Sequence, residues 1–375
     1  MPVLEVLEVS DSYQRPPERL THLPSLKSLV VSGLDPLLYN IPLLTSFHLA
    51  HDPANRLVVQ QSIAESVLNL FRTCPLLEVA FLRCNILKYG SEPDEVVSLP
   101  LLRSFTHESF LEEHRVSLLN RLSLPFTCRV VLRIDVTRYR RGPWVHDLPN
   151  PRDASYLSDI RIVKIEAHLR RRGVREAPIT FKFKFRNPTR EAISFHTASR
   201  YSQCPGDYSH NGFLDILKNI EVGSVETLYF HRYPAVQSEQ LQATAEPTIQ
   251  ALSRFRNLKT LILVDCDIIL PLDGSCISSC CTVDTLVVSY RRSKGFFYDH
   301  VISPVQKFAE SRKKAGFPLK TLTLVLPSVE PGPSELDRLT GCIGRVEIVR
   351  GRDALNWTSK YLLAAPTKRV GRPLR

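Results

Sequence analysis

One arrangement recurs along this chain: an apolar residue, two others, an apolar residue, one other, and a third apolar residue. It is read at Leu4/Leu7/Val9, Leu26/Leu29/Val31, Leu44/Phe47/Leu49, Leu76/Val79/Phe81 and Ile160/Val163/Ile165. It continues at Val225/Leu228/Phe230, Leu258/Leu261/Leu263, Val283/Leu286/Val288, Leu319/Leu322/Leu324 and Ile343/Val346/Ile348. Leu119/Leu122/Leu124 fits, and Leu102/Phe105 fits with His107 in the third place. The last two apolar positions lie two apart, so on a short strand they point to one face. The first reaches the same side from the turn before the strand. One such unit cannot bury its apolar side alone, whereas stacked units make a continuous core beneath a parallel sheet.

The segments between strands supply helices. Gln60 to Arg72 places Ile63, Val67, Leu70 and Phe71 at helical spacing, with Thr73 and Pro75 ending it. Gly212 to Ile220, Ala243 to Phe255 and Val301 to Ala315 read the same way, the last with a basic end that suits the helix dipole. The predicted fold class is therefore α/β: an irregular leucine-rich-repeat solenoid, with a parallel sheet on its concave face and helices on its convex face. Cys84 and Cys266 stand three residues after the last apolar position of their units, where that repeat has Asn or Cys. Arg129 to Val136 and Ile179 to Phe185 alternate apolar and polar residues and read as strands with one face wet. The expected organisation is a solenoid over 1–365 with an irregular excursion near 137–158, then a basic, disordered tail at 366–375.

Charge and cysteine usage narrow the function classes. Lys and Arg outnumber Asp and Glu by 49 to 38, for a net charge of +11. A basic chain attracts acidic partners, nucleic acid among them. The arginines come in short clusters, such as Arg170, Arg171, Arg172 and Arg175, without the interleaved aromatics of a nucleic-acid groove. The nine cysteines are scattered and read as reduced thiols of an intracellular protein, cytoplasmic or nuclear. No signal pattern or membrane-spanning run is seen, so no membrane association is expected.

No enzyme is expected, and neither is a cofactor. Phosphate-binding loops, dinucleotide fingerprints and Gly-x-Ser-x-Gly elbows do not occur. His107, Glu108, Glu112, Glu113 and His114 are the densest group of potential ligands, but the two histidines are too far apart for a helical zinc pair. Cys276, Cys280 and Cys281 lack a second ligand pair. No metal site is predicted.

Several segments resemble fungal F-box and leucine-rich-repeat-like proteins. Leu23-Pro24-Ser25-Leu26-Lys27-Ser28-Leu29 is similar to their "LPxLxxL" strand start, and Cys74-Pro75-Leu76-Leu77-Glu78 to their "CPxLE" turn. Leu122 to Arg129 is similar to a central segment of the group, and Leu258 to Cys266 to a late repeat. The resemblance implies a protein-binding solenoid that, in complete members, follows an F-box docked on the Skp1 adaptor of a cullin-type ubiquitin ligase. The solenoid then recognises the substrate. Here Met1-Pro2-Val3-Leu4 already reads as a repeat strand, so an F-box, and with it a Skp1-type contact, is not expected within this sequence.

Residues between and beside the buried leucines would face the concave side and bind a protein partner. The candidates are His48, Thr106, Glu108, Lys164, Glu166, Tyr229 and His231, with Glu8, Ser46, Glu78, Ala80, Thr227, Thr260, Ile262, Thr321 and Thr323 beside them. Tyr229 and His231 join apolar area to polar handles, a combination common at energetic centres. The expected function is a non-enzymatic protein–protein interaction module for ubiquitin-ligase substrate recognition. The alternative is a basic nucleic-acid-associated protein using the arginine clusters and the tail, where Val370-Gly371-Arg372-Pro373 resembles a minor-groove-binding core.

Overall fold

The computed structural model describes residues 4–10, 23–32, 41–50, 60–84, 96–109, 118–135, 162–169, 179–186, 191–199, 222–231, 254–264, 282–290, 301–326 and 331–350. The protein is α/β and mainly parallel. Its strands are β1 (Val6–Ser10), β2 (Ser28–Ser32), β3 (Ser46–Ala50), β4 (Val79–Arg83), β5 (Val97–Ser98), β6 (Ser104–Ser109), β7 (Leu122–Ser123) and β8 (Arg129–Asp135). There follow β9 (Ile162–Leu169), β10 (Ile179–Arg186), β11 (Glu191–Ser199), β12 (Thr227–His231), β13 (Thr260–Val264), β14 (Thr285–Ser289), β15 (Thr321–Leu326) and β16 (Arg345–Arg350). The α-helices among the described residues are α1 (Gln60–Thr73), α2 (Ser303–Lys314) and α3 (Pro333–Thr340). The excursion near 137–158, the tail at 366–375, Cys266 and the helix expected over Gly212 to Ile220 lie outside the described residues.

The chain packs as two compact units, the first built mainly from the chain up to Ile160 and the second mainly from Val222 onward. In the first unit the strands run β1-β2-β3-β4-β6-β8-β11-β10, and β5 pairs with β7 in a separate small ladder. Leu7, Leu29, Phe47, Ala80, Phe105 and Val130 stand in register across neighbouring parallel strands. In the second unit the order is β9-β12-β13-β14-β15-β16, with Leu228, Leu261, Leu286, Leu322 and Val346 in register.

A tight turn precedes nearly every strand and explains this register. The Leu26 N–H donates to the Leu23 carbonyl, Leu44 to Ile41, Leu77 to Cys74, Leu102 to Leu99, Val225 to Val222 and Leu258 to Phe255. Pro24, Pro42, Pro75 and Pro100 hold the second place of the first four turns, where a fixed φ suits the turn and the missing N–H costs nothing. The residue that closes each turn is buried. Two consecutive N–H groups then donate to a single carbonyl of the preceding strand's start. Lys27 and Ser28 donate to Glu5, Thr45 and Ser46 to Lys27, Glu78 and Val79 to Thr45, and Arg103 and Ser104 to Glu78. The same relay runs from Glu226 to Lys259, Asp284 and Lys320 in the second unit. Opposite charges meet along it: Lys27 with Glu5 at 2.7 Å, Arg103 with Glu78 at 3.5 Å, Lys259 with Glu226 at 3.4 Å and Lys320 with Asp284 at 3.1 Å. Such exposed pairs contribute about 0–1 kcal/mol each, so they favour the register more than they stabilise the fold.

These turns correct one frame read from the sequence. Of the two leucines in Cys74-Pro75-Leu76-Leu77 the buried one is Leu77, at 0% exposure, while Leu76 is 38% exposed. The core face of β4 is Ala80 and Leu82, continued by Cys84, whereas Val79 is 41% exposed. Leu76/Val79/Phe81 is therefore the wrong parity, and Ala80 does not face outward. Leu119/Leu122/Leu124 is also not a strand of the main sheet. A short 3-10 turn at Leu118–Arg121 leads into β7, whose Leu122 pairs with Val97.

The helices cover the core face as their patterns demand. On α1, Val67, Leu68, Leu70 and Phe71 are buried, and the Phe71 ring meets Phe47 edge-on at 6.3 Å. The helix ends where the Thr73 hydroxyl donates to the Leu70 carbonyl, and the Cys74 thiol donates to the Ile41 carbonyl at 3.2 Å. On α2, Val305, Phe308 and Ala309 are buried together with Arg312. The Arg312 guanidinium donates to the Val283 carbonyl at 2.5 Å and lies over the Phe308 ring. The helix closes at Gly316, whose φ of +85° only glycine adopts without strain. The α3 helix, not foreseen in the sequence, begins at Pro333, and the Gly332 N–H donates to the Glu335 carboxylate at 2.7 Å.

Candidate functional site

Each sheet has a second face, opposite the turn-closing leucines, and the two units treat it differently. In the second unit its central row is Tyr229, Ile262, Val287 and Thr323, in register on β12 to β15. All four are buried, and Tyr229, Ile262 and Val287 join Val264 and Val325 in an apolar cluster. Leu228 and Leu261 on the other face are buried too, so this part of the sheet is covered on both sides. That explains the nearly continuous apolar strands TLILV and TLVVS.

This overturns the expected exposure of four residues. Tyr229 is 4% exposed and His231 is 9% exposed, with their rings 6.3 Å apart, and Ile262 and Thr323 are equally enclosed. They lie on the predicted face, but that face is not open at those positions. Lys164 and Glu166 stand opposite Tyr229 and His231 in the β9–β12 pairing, which fixes their register positions.

In the first unit the second face is partly open. Its central row is Glu8, Val30, His48, Phe81, Thr106 and Val131 on β1, β2, β3, β4, β6 and β8. His48, Phe81 and Thr106 are half-buried, and Val131 is buried. The His48 and Phe81 rings meet edge to face at 4.2 Å. Toward the strand ends the next row is Arg83, Glu108 and Arg133, directly opposite one another on β4, β6 and β8. Glu108 pairs with Arg83 at 3.8 Å and with Arg133 in a close contact. Its side chain is 17% exposed, against 52% for Arg83 and 50% for Arg133. Toward the strand starts the row is Ser28, Ser46, Val79 and Ser104.

Burial holds the His48 imidazole below the ordinary histidine pKa, with Arg83 acting the same way and Glu108 and Glu8 opposing. On the core side, His107 is a polar residue at an apolar position, and its Nε2 donates to the Cys84 carbonyl at 3.1 Å. Burial raises the Cys84 thiol to about 12 and the Cys74 thiol to about 11, so neither is a nucleophile near neutral pH.

Of the residues read from the sequence, His48, Thr106 and Glu108 share one face of the first unit's sheet, where Phe81, Arg83 and Arg133 stand beside them. Two of these were legible: with β4 framed on Leu77, Phe81 and Arg83 share the parity of His48. Among the described residues no group of three His, Cys, Asp or Glu side chains is placed to hold a metal ion, and no helix is long and apolar enough to cross a membrane. No family model, curated protein or solved structure matches the chain.

Proposed function

We propose that this chain is a non-enzymatic protein-interaction module of leucine-rich-repeat-like solenoid type, and that it recruits its partner through the second face of the first unit. What carries the reading is the row of Arg83, Glu108 and Arg133 beside the His48–Phe81 ring pair, fixed in register across adjacent strands. A rigid sheet presents such side chains with little ordering cost on binding. Aromatic and arginine side chains contribute most at interfaces. The contrast with the enclosed second face of the other unit supports the choice, because His48, Phe81 and Thr106 keep part of their surface exposed where Tyr229, Ile262 and Val287 do not. The repeated proline turn and the shared ladder within each unit support a stacked-repeat architecture. The F-box-like resemblance points to a ubiquitin-ligase substrate as the recruited protein, and the buried thiols of Cys74 and Cys84 suit a reducing, intracellular compartment.

A photo-reactive amino acid placed at Thr106 of the full chain tests this. The expected result is a discrete crosslinked protein, competed away by excess unlabelled chain and lost with Phe81→Ala. Crosslinking only to nucleic acid, with a yield that falls steeply with salt, would overturn the reading in favour of a nucleic-acid-associated protein.

A further inference from the structure

We draw no further inference here: the strongest candidate, the surface patch of exposed leucines Leu43, Leu76 and Leu101 on the outer side of the turns that lead into β3, β4 and β6 of the first unit, is an apolar row with nothing in the structure to show what covers it.

Discussion

Leu76 and Leu77 are adjacent, identical side chains with opposite fates, and truncating each to alanine tests the frame of the whole first unit. Leu77 is 0% exposed and closes the turn from Cys74, while Leu76 is 38% exposed on the turn's outer side. Fully burying a leucine side chain is worth about 1.5–3 kcal/mol. Leu77→Ala forfeits all of this and leaves a cavity beneath the sheet, for a total near 3–4 kcal/mol within the range of about 2–5 kcal/mol for such changes. Leu76→Ala loses only part of the transfer term and opens no cavity, because solvent already reaches the site, so it costs about 1 kcal/mol. The gap of roughly 2 kcal/mol corresponds to about 4–8 °C in the melting temperature of a cooperative unit of this size. Urea unfolding followed by far-UV circular dichroism measures both. Equal losses, or a larger loss at Leu76, would refute the assignment of Leu77, Ala80 and Leu82 to the core and move Phe81 and Arg83 off the candidate face.

Three further outcomes follow from the packing. Arg312→Leu leaves the Val283 carbonyl buried without its donor, so stability falls by about 1–3 kcal/mol; Arg312→Lys does not restore it, because the ammonium lacks the planar fork, and a thermal melt that matches the parent chain would refute this. His48 is held neutral by burial, so below about pH 6.5 the unfolded chain protonates first and the stability from neutral His48 is lost as the pH falls further; this acid sensitivity shrinks in His48→Phe, and an unchanged pH–stability profile between the two proteins would count against it. The Cys74 and Cys84 thiols, raised to about 11 and about 12, resist iodoacetamide at pH 8 in the native protein and react quickly in denaturant; peptide mapping that finds either modified early in the native state would contradict their burial.

The α/β class, most strands and the helices α1 and α2 were legible because burying one face of a short strand needs apolar residues two apart, and a helix needs them three and four apart. The frame at β4 was misread for a physical reason. Leu76 and Leu77 are chemically identical, Val79 and Phe81 are more apolar than Ala80, and only the turn proline at position 75 says which leucine is inside. The same proline stands before Leu44 and Leu102 in Ile41-Pro42-Leu43-Leu44 and Leu99-Pro100-Leu101-Leu102, and reading those segments together gives the parity. The face on which His48, Thr106 and Glu108 stand was legible because a polar residue between two buried ones must face away from the core. Tyr229 and His231 were misjudged because an amphipathic side chain suits a covered face as well as an open one. The neighbouring runs TLILV and TLVVS carried the warning, being apolar at positions that a wet face would fill with polar groups.

The relay in which one carbonyl receives two successive N–H groups from the following strand has a consequence for how the chain can change. Each strand takes its position from its predecessor's first peptide, not from the length of chain joining them. Residues added to or removed from a connection are therefore absorbed where they occur, and the strands beyond keep step. A single misplaced residue between a turn proline and its closing leucine has the opposite effect: it turns that strand inside out and hands the error to its neighbour.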